Sequence, residues 1–185
     1  YHTKLKYETL NKRYFPTKGL KTNISYTIHT DLHTNTAYSS LATQITKILP
    51  IALNTFIIPT IYGRFIFNDG IPFMYSNVIG GEGYNPHYEQ QIPFSGLPHT
   101  ESTLKLLGNA RIQIRHKFHE KQYLTLSGNY AIHQNQFSNF LQGKKIYGTS
   151  IGYGYDSPLG PIEGFICYSN RTNKLGFYLN IGFGF

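Results

Sequence analysis

Four groups of residues have types and spacings that could do chemistry. Gly148-Thr149-Ser150-Ile151-Gly152 matches G-x-S-x-G, the nucleophile elbow of esterases. That elbow needs a sharp strand-to-helix turn whose helix N-terminus helps hold an oxyanion. Here Tyr153-Gly154-Tyr155-Asp156-Ser157-Pro158 follows and cannot start a helix, so no catalytic residue is expected in this chain. Among the eight histidines, His116 with His119 and His29 with His33 invite a metal or general-base reading. Residues three or four apart on a strand do not share a site as they would on a helix, and no Cys or carboxylate cluster accompanies them. Loop or interfacial histidines are expected, with no metal and no cofactor. Gly80-Gly81-Glu82-Gly83 is glycine-rich but lacks the following Lys-Ser/Thr and helix of a phosphate loop, which leaves a tight loop fold. The fourth group is basic: Lys105, Arg111, Arg115 and Lys117 fall on one side of an alternating segment.

The elements that would position these residues are strands. At the end of the chain Leu175, Phe177, Leu179, Ile181, Phe183 and Phe185 take the odd positions, against Lys174, Gly176, Tyr178, Asn180, Gly182 and Gly184. One face is wholly apolar. A soluble sandwich would carry solvated Thr, Lys or Glu opposite, whereas glycine with one Asn and one Tyr suits a crowded, polar barrel interior. The same rule runs through Leu104, Leu106, Gly108, Ala110, Ile112, Ile114 and Phe118, which oppose the basic positions. It recurs with Leu124, Leu126, Tyr130 and Ile132 facing out, with the odd positions Tyr147 to Tyr155 against Gly148, Ser150, Gly152 and Gly154, and over residues 19–32. Weaker periodicity marks residues 1–10, 37–49, 55–67 and 160–169.

Composition agrees with this reading. Charged residues are 14% against roughly 25% in soluble domains, while aromatics reach 16%. Apolar runs such as Ile48 to Leu53 fall far short of the ~20 residues a membrane-spanning helix needs, so a helical membrane protein is excluded. The net charge of +8 is scattered among strands and forms no contiguous basic face, which argues against a nucleic-acid partner. Cys167 has no partner for a disulfide and reads as a small apolar residue. Any signal peptide is absent or was removed ahead of Tyr1.

The fold class expected is therefore all-β, a transmembrane antiparallel β-barrel with about nine strands. Residues 1–185 form one outer-membrane segment with a long extracellular or lumen-inserted loop over about 69–101. Hydrocarbon offers no partner for an unpaired backbone N–H or C=O, so an open edge would cost several kcal/mol per group. Single-chain bacterial barrels have even strand numbers. Nine strands then call for remaining barrel strands or a second copy beside them.

Several motifs share an order with one family. Tyr14-Phe15-Pro16-Thr17-Lys18-Gly19 resembles the PT-x-G turn of the bacterial surface antigen superfamily, the outer-membrane assembly and two-partner secretion barrels. Asp156-Ser157-Pro158-Leu159-Gly160-Pro161 resembles its penultimate hairpin, and Asn180-Ile181-Gly182-Phe183-Gly184-Phe185 its terminal strand. The resemblance implies the C-terminal part of a sixteen-stranded barrel in the bacterial outer membrane. It also implies that Phe183 and Phe185 carry the signal read by the barrel-insertion machinery, a partner alongside outer-membrane lipids.

Within the superfamily, Gly80-Gly81 followed by Gln90-Gln91-Ile92-Pro93-Phe94-Ser95-Gly96-Leu97 most resembles the barrel fused behind patatin-like phospholipases in Bacteroidetes-type bacteria. That implies a barrel anchoring, and helping to export, an N-terminal lipase domain outside this chain. The rivals are a polypeptide-translocating insertase or two-partner secretion pore, and a self-contained small barrel acting as enzyme or adhesin. Other members place Arg-Gly-Tyr or Arg-Gly-Phe at the loop tip, where this chain has Glu82-Gly83-Tyr84. With the charge reversed, Glu82 could pair with lumenal Arg111 or Arg115. The basic row Lys105, Arg111, Arg115 and Lys117 would then anchor the loop through Glu82, Glu89 or Glu101, or form an anion-attracting pore.

Overall fold

The computed structural model describes residues 1–31, 36–69, 72–82, 90–98 and 100–182, and these described residues form twelve strands. Before the long loop come β1 (His2–Glu8), β2 (Gly19–Asp31), β3 (Thr36–Ala52) and β4 (Thr55–Ile66). Within it lie β5 (Asn77–Ile79), β6 (Gln91–Ile92) and β7 (Glu101–Thr103). After it come β8 (Leu106–His119), β9 (Gln122–Gln134), β10 (Lys144–Ser157), β11 (Gly160–Ser169) and β12 (Lys174–Ile181).

Nine of these make one antiparallel sheet in the order β1-β2-β3-β4-β8-β9-β10-β11-β12. On either side of the long loop each strand pairs with its chain neighbour, as short connections allow, and β4 pairs with β8 across the loop. Leu53–Asn54 joins β3 to β4, with Asn54 at φ 60°, a left-handed conformation that Asn tolerates better than most residues. Four strands precede the loop and five follow it, as the alternation predicts. Among the described residues the sheet does not close, and β1 and β12 are its edges. The expected loop of 69–101 holds more than irregular chain: β5 pairs parallel with β6 and antiparallel with β7 in a small sheet of its own.

Period two sorts the faces. Outward, the paired residues Leu49, Ile57, Ile114, Leu126, Ile151, Ile166 and Phe177 form one unbroken apolar row across seven strands. The five residues from Ile114 to Phe177 in this row are exposed although large and apolar, which water would penalise and hydrocarbon would not. Inward, Thr125, Ser127, Asn129, His133 and Ser150 are buried.

Two expectations need correction. Leu106 takes an outward position yet is fully buried. The connection between β9 and β10 forms a 3-10 turn, Phe137–Gln142, which folds back over that face; a Cβ on Gly108 would meet the Phe140 ring at 3.0 Å. Tyr178 points inward, as the alternation of β12 requires, because the even positions of that strand face the loop. Lastly, the interior is only partly polar, since Leu107, Ala131 and Ile146 of the wall pack on Ile79, Ile92, Phe94 and Leu97 of the loop. Leu32, His33, Gly184 and the terminal Phe183 and Phe185 lie outside the described residues.

Candidate functional site: the loop anchored on the inner wall

The loop leaves β4 beside Arg64. Its Nη1 donates to Asn77 Oδ1 at 2.8 Å and to the carbonyls of Tyr75 and Ser76, each at 3.2 Å. Asn77, fully buried, donates in turn to the carbonyls of Leu104 and Lys105, each at 2.8 Å. One Arg–Asn pair thus ties the start of the loop to its end. His133 of β9 accepts the Leu104 N–H at 3.2 Å, a second clasp at the same level.

Beyond β5, Gly80 at φ 133° and Gly81 at φ 73° adopt conformations closed to most L-residues and turn the chain toward the wall. Glu82 follows, and its carboxylate is buried among groups from several strands. Arg111 of β8 donates through Nη2 to Oε2 at 2.5 Å, with the Glu82 side chain wholly out of solvent. Ser95, from the returning arm of the loop, donates to Oε1. The Ser95 hydroxyl accepts from Asn129 Nδ2 of β9 at 2.7 Å and lies 3.2 Å from Ser150 Oγ of β10. Since that hydroxyl has one proton, spent on the carboxylate, Ser150 donates to it. Asn180 of β12 donates to the Glu82 carbonyl at 3.0 Å. Glu82 and Ser95 together therefore touch β8, β9, β10 and β12.

The returning arm is seated by close backbone approach. Gly148 of β10 faces the Ser95 carbonyl, and Gly96, at φ 79°, faces the backbone of Tyr168 and Ser169; a Cβ at either would collide. Thr172 donates to the Gly96 carbonyl at 3.1 Å, and Tyr178 donates to that of Leu97. Arg171 pairs with Glu101 at 2.7 Å.

A second plug rises from the opposite end. Asn11 holds the connection between β1 and β2, donating to Thr17 Oγ1 at 2.8 Å and accepting the N–H groups of Thr17 and Lys18. The turn thrusts Phe15 inward, fully buried, where it stacks on Tyr123 with centroids 4.2 Å apart. Arg115 lies over its ring at 5.3 Å, and Gly154 leaves the space that the ring fills.

Of the basic row, the structure brings Arg111 to Glu82 and buries Arg115 on the same face. Lys105 sits apart at the loop base and pairs with Asp69 at 2.5 Å, while Lys117 lies near the turn end of β8. Glu101 goes to Arg171 and not to that row. Gly80, Gly81 and Glu82 are placed; Gly83, Tyr84 and Glu89 fall outside the described residues. Ser150 lies mid-strand in β10 with no helix after it, so the G-x-S-x-G pattern has no elbow. His116 shares a hydrogen bond of 2.9 Å with Thr55, and His29 lies against the Tyr75 ring. Arg64, Ser95 and Asn129 are anchoring residues that the sequence reading did not single out. For Arg64 a signal existed, a lone cation at an inward-parity position on the strand entering the loop.

The OMP85 superfamily model matches the chain over residues 1–185. The chain belongs to the OMP85 superfamily. Among curated proteins none matches it. Members of the OMP85 superfamily are bacterial outer-membrane β-barrels that work in assembly or secretion, and the nine-stranded sheet with its bare apolar row is a segment of such a barrel. In this OMP85 chain the inner face is the lumen side, and the anchored loop occupies it.

Proposed function

We propose that this chain is the barrel of an outer-membrane protein that anchors, and helps export, a patatin-like lipase domain lying outside it. The observation that carries the reading is the seat of the loop. Gly80-Gly81 and the stretch Gln90 to Leu97, the residues that resemble patatin-associated barrels, supply the glycine turn, the apolar loop core and the Ser95 contact that hold the loop to the wall. Glu82, where other members carry Arg, is buried against Arg111. A loop held by so many buried polar contacts favours a carrier with a filled lumen over a conduit for unfolded polypeptide.

In this reading the chain performs no catalysis. Its outward row meets outer-membrane lipid, its terminal strand meets the insertion machinery, and β1 and β12 pair with the remaining barrel strands. The experiment is to express the full-length protein in an outer membrane and measure fatty-acid release from phospholipid. Activity should reside in the membrane fraction, survive Ser150→Ala and disappear when the part outside this barrel is removed. Loss of activity in Ser150→Ala with normal insertion would overturn the assignment, as would secretion of a separate polypeptide with no lipase activity.

A further inference from the structure

A chamber of about 330 Å³ lies on the lumen side between the loop segment Gln91–Pro93 and the inturned connection that carries Leu10, Arg13 and Pro16. Its wall includes Arg111, Arg115 and Glu163, with Lys21 contributed by β2. Arg115 is 5% exposed, yet its Nε and Nη1 have no hydrogen-bond partner. Phe15 lies against the guanidinium, with the Arg115 Cζ 5.3 Å from the ring centroid. Arg111 spends Nη2 on Glu82 and leaves Nε without a partner. Among the described residues no carboxylate comes within ion-pair distance of Arg115; Glu163 lines the same chamber without bonding to it.

A buried guanidinium whose N–H groups lack hydrogen-bond partners is unfavourable, and those groups match the oxygens of an oxoanion. Arg13 and Lys21 add positive charge from the opposite side, and Glu163 is the acid that limits how much negative charge the chamber accepts. We propose that this chamber binds a small oxoanion, with Arg115 as its principal ligand and Arg111 Nε and Lys21 as further donors. The site is independent of what the barrel carries.

The test uses the full-length protein in detergent and titrates inorganic phosphate at constant ionic strength, with chloride as the balancing anion and the thermal midpoint as readout. Ligand that binds only the folded state raises that midpoint saturably. A saturable rise is expected in the wild type, about tenfold weaker in Arg115→Lys, absent in Arg115→Gln and unchanged in Lys117→Gln, which lies on β8 outside the chamber. An acetate arm reports whether two oxygens suffice; saturation by either anion through Arg115 supports the site. Equal shifts in wild type and Arg115→Gln, or no saturable shift in the wild type, would overturn it. Should Arg115→Gln fail to fold, Lys21→Gln takes its place: weaker phosphate binding supports the site, and unchanged binding refutes it.

Discussion

Glu82 in the loop and Arg111 on β8, 29 residues apart in sequence, form an ion pair from which solvent is almost wholly excluded. The pair is supported on both sides: Ser95 holds the other carboxylate oxygen, and Asn180 holds the Glu82 carbonyl. A buried pair of this kind contributes little against a well-packed apolar substitute, but each half is intolerant of losing the other.

Arg111→Met should therefore destabilise the barrel by about 3–5 kcal/mol, because Glu82 would stay buried and unpaired. Adding Glu82→Gln to Arg111→Met should recover a large part of that loss. Urea unfolding from lipid vesicles measures both, and strict additivity of the two changes would contradict the coupling.

Gly148→Ala should dislodge the returning arm of the loop, since its Cβ would strike the Ser95 carbonyl. Overpacking of this kind costs about 1–3 kcal/mol. Hydrogen exchange at Ser95 to Leu97 should accelerate. Gly128→Ala has open space around the new Cβ and should stay within about 0.5 kcal/mol of wild type.

Ile151 sits mid-way along β10 in the apolar row, paired with Leu126 and Ile166. Ile151→Arg should impair folding into vesicles by about 2–4 kcal/mol, whereas Tyr147→Arg, two pleat repeats closer to the loop end, should cost about 0–1 kcal/mol. Equal costs would contradict the depth assigned to this row.

Phe15→Ala should lower stability by about 3–5 kcal/mol, the range for emptying a buried aromatic site. The ring is lost from Tyr123, Arg115 and Gly154 together. Tyr14→Ala, at a half-buried neighbour, should cost far less. Thermal unfolding of the two variants side by side decides whether the connection between β1 and β2 is a structural plug.

Tyr178→Phe removes the donor to the Leu97 carbonyl and should cost about 1 kcal/mol. Asn180→Ala, which frees the Glu82 carbonyl, should be of the same order and roughly additive with it only if the two contacts hold separate parts of the loop. Denaturant midpoints of the single and double variants test this.

What the sequence by itself determined was the sheet: nine long strands, the side each residue faces, and the position of the loop between the fourth and fifth. The physical reason is that lipid outside and a polar, crowded inside act on every second residue, so the constraint is written locally and repeatedly, as in Leu124 to Ile132 and Leu175 to Ile181. The opposite charges of Glu82 and Arg111 were also legible as a candidate pair. Tertiary structure alone decided which partners met. Arg64 finds the Asn77 side chain and two backbone carbonyls, which carry no residue identity; Glu101 reaches Arg171 because strand register brings the β11–β12 turn over the loop base. Leu106 is buried although alternation turns it outward, close to where a turn more than thirty residues away folds over Gly108, and Phe15 enters the lumen because Asn11 closes the connection that carries it. Alternation says which way a side chain points, but register and loop path decide what it finds there.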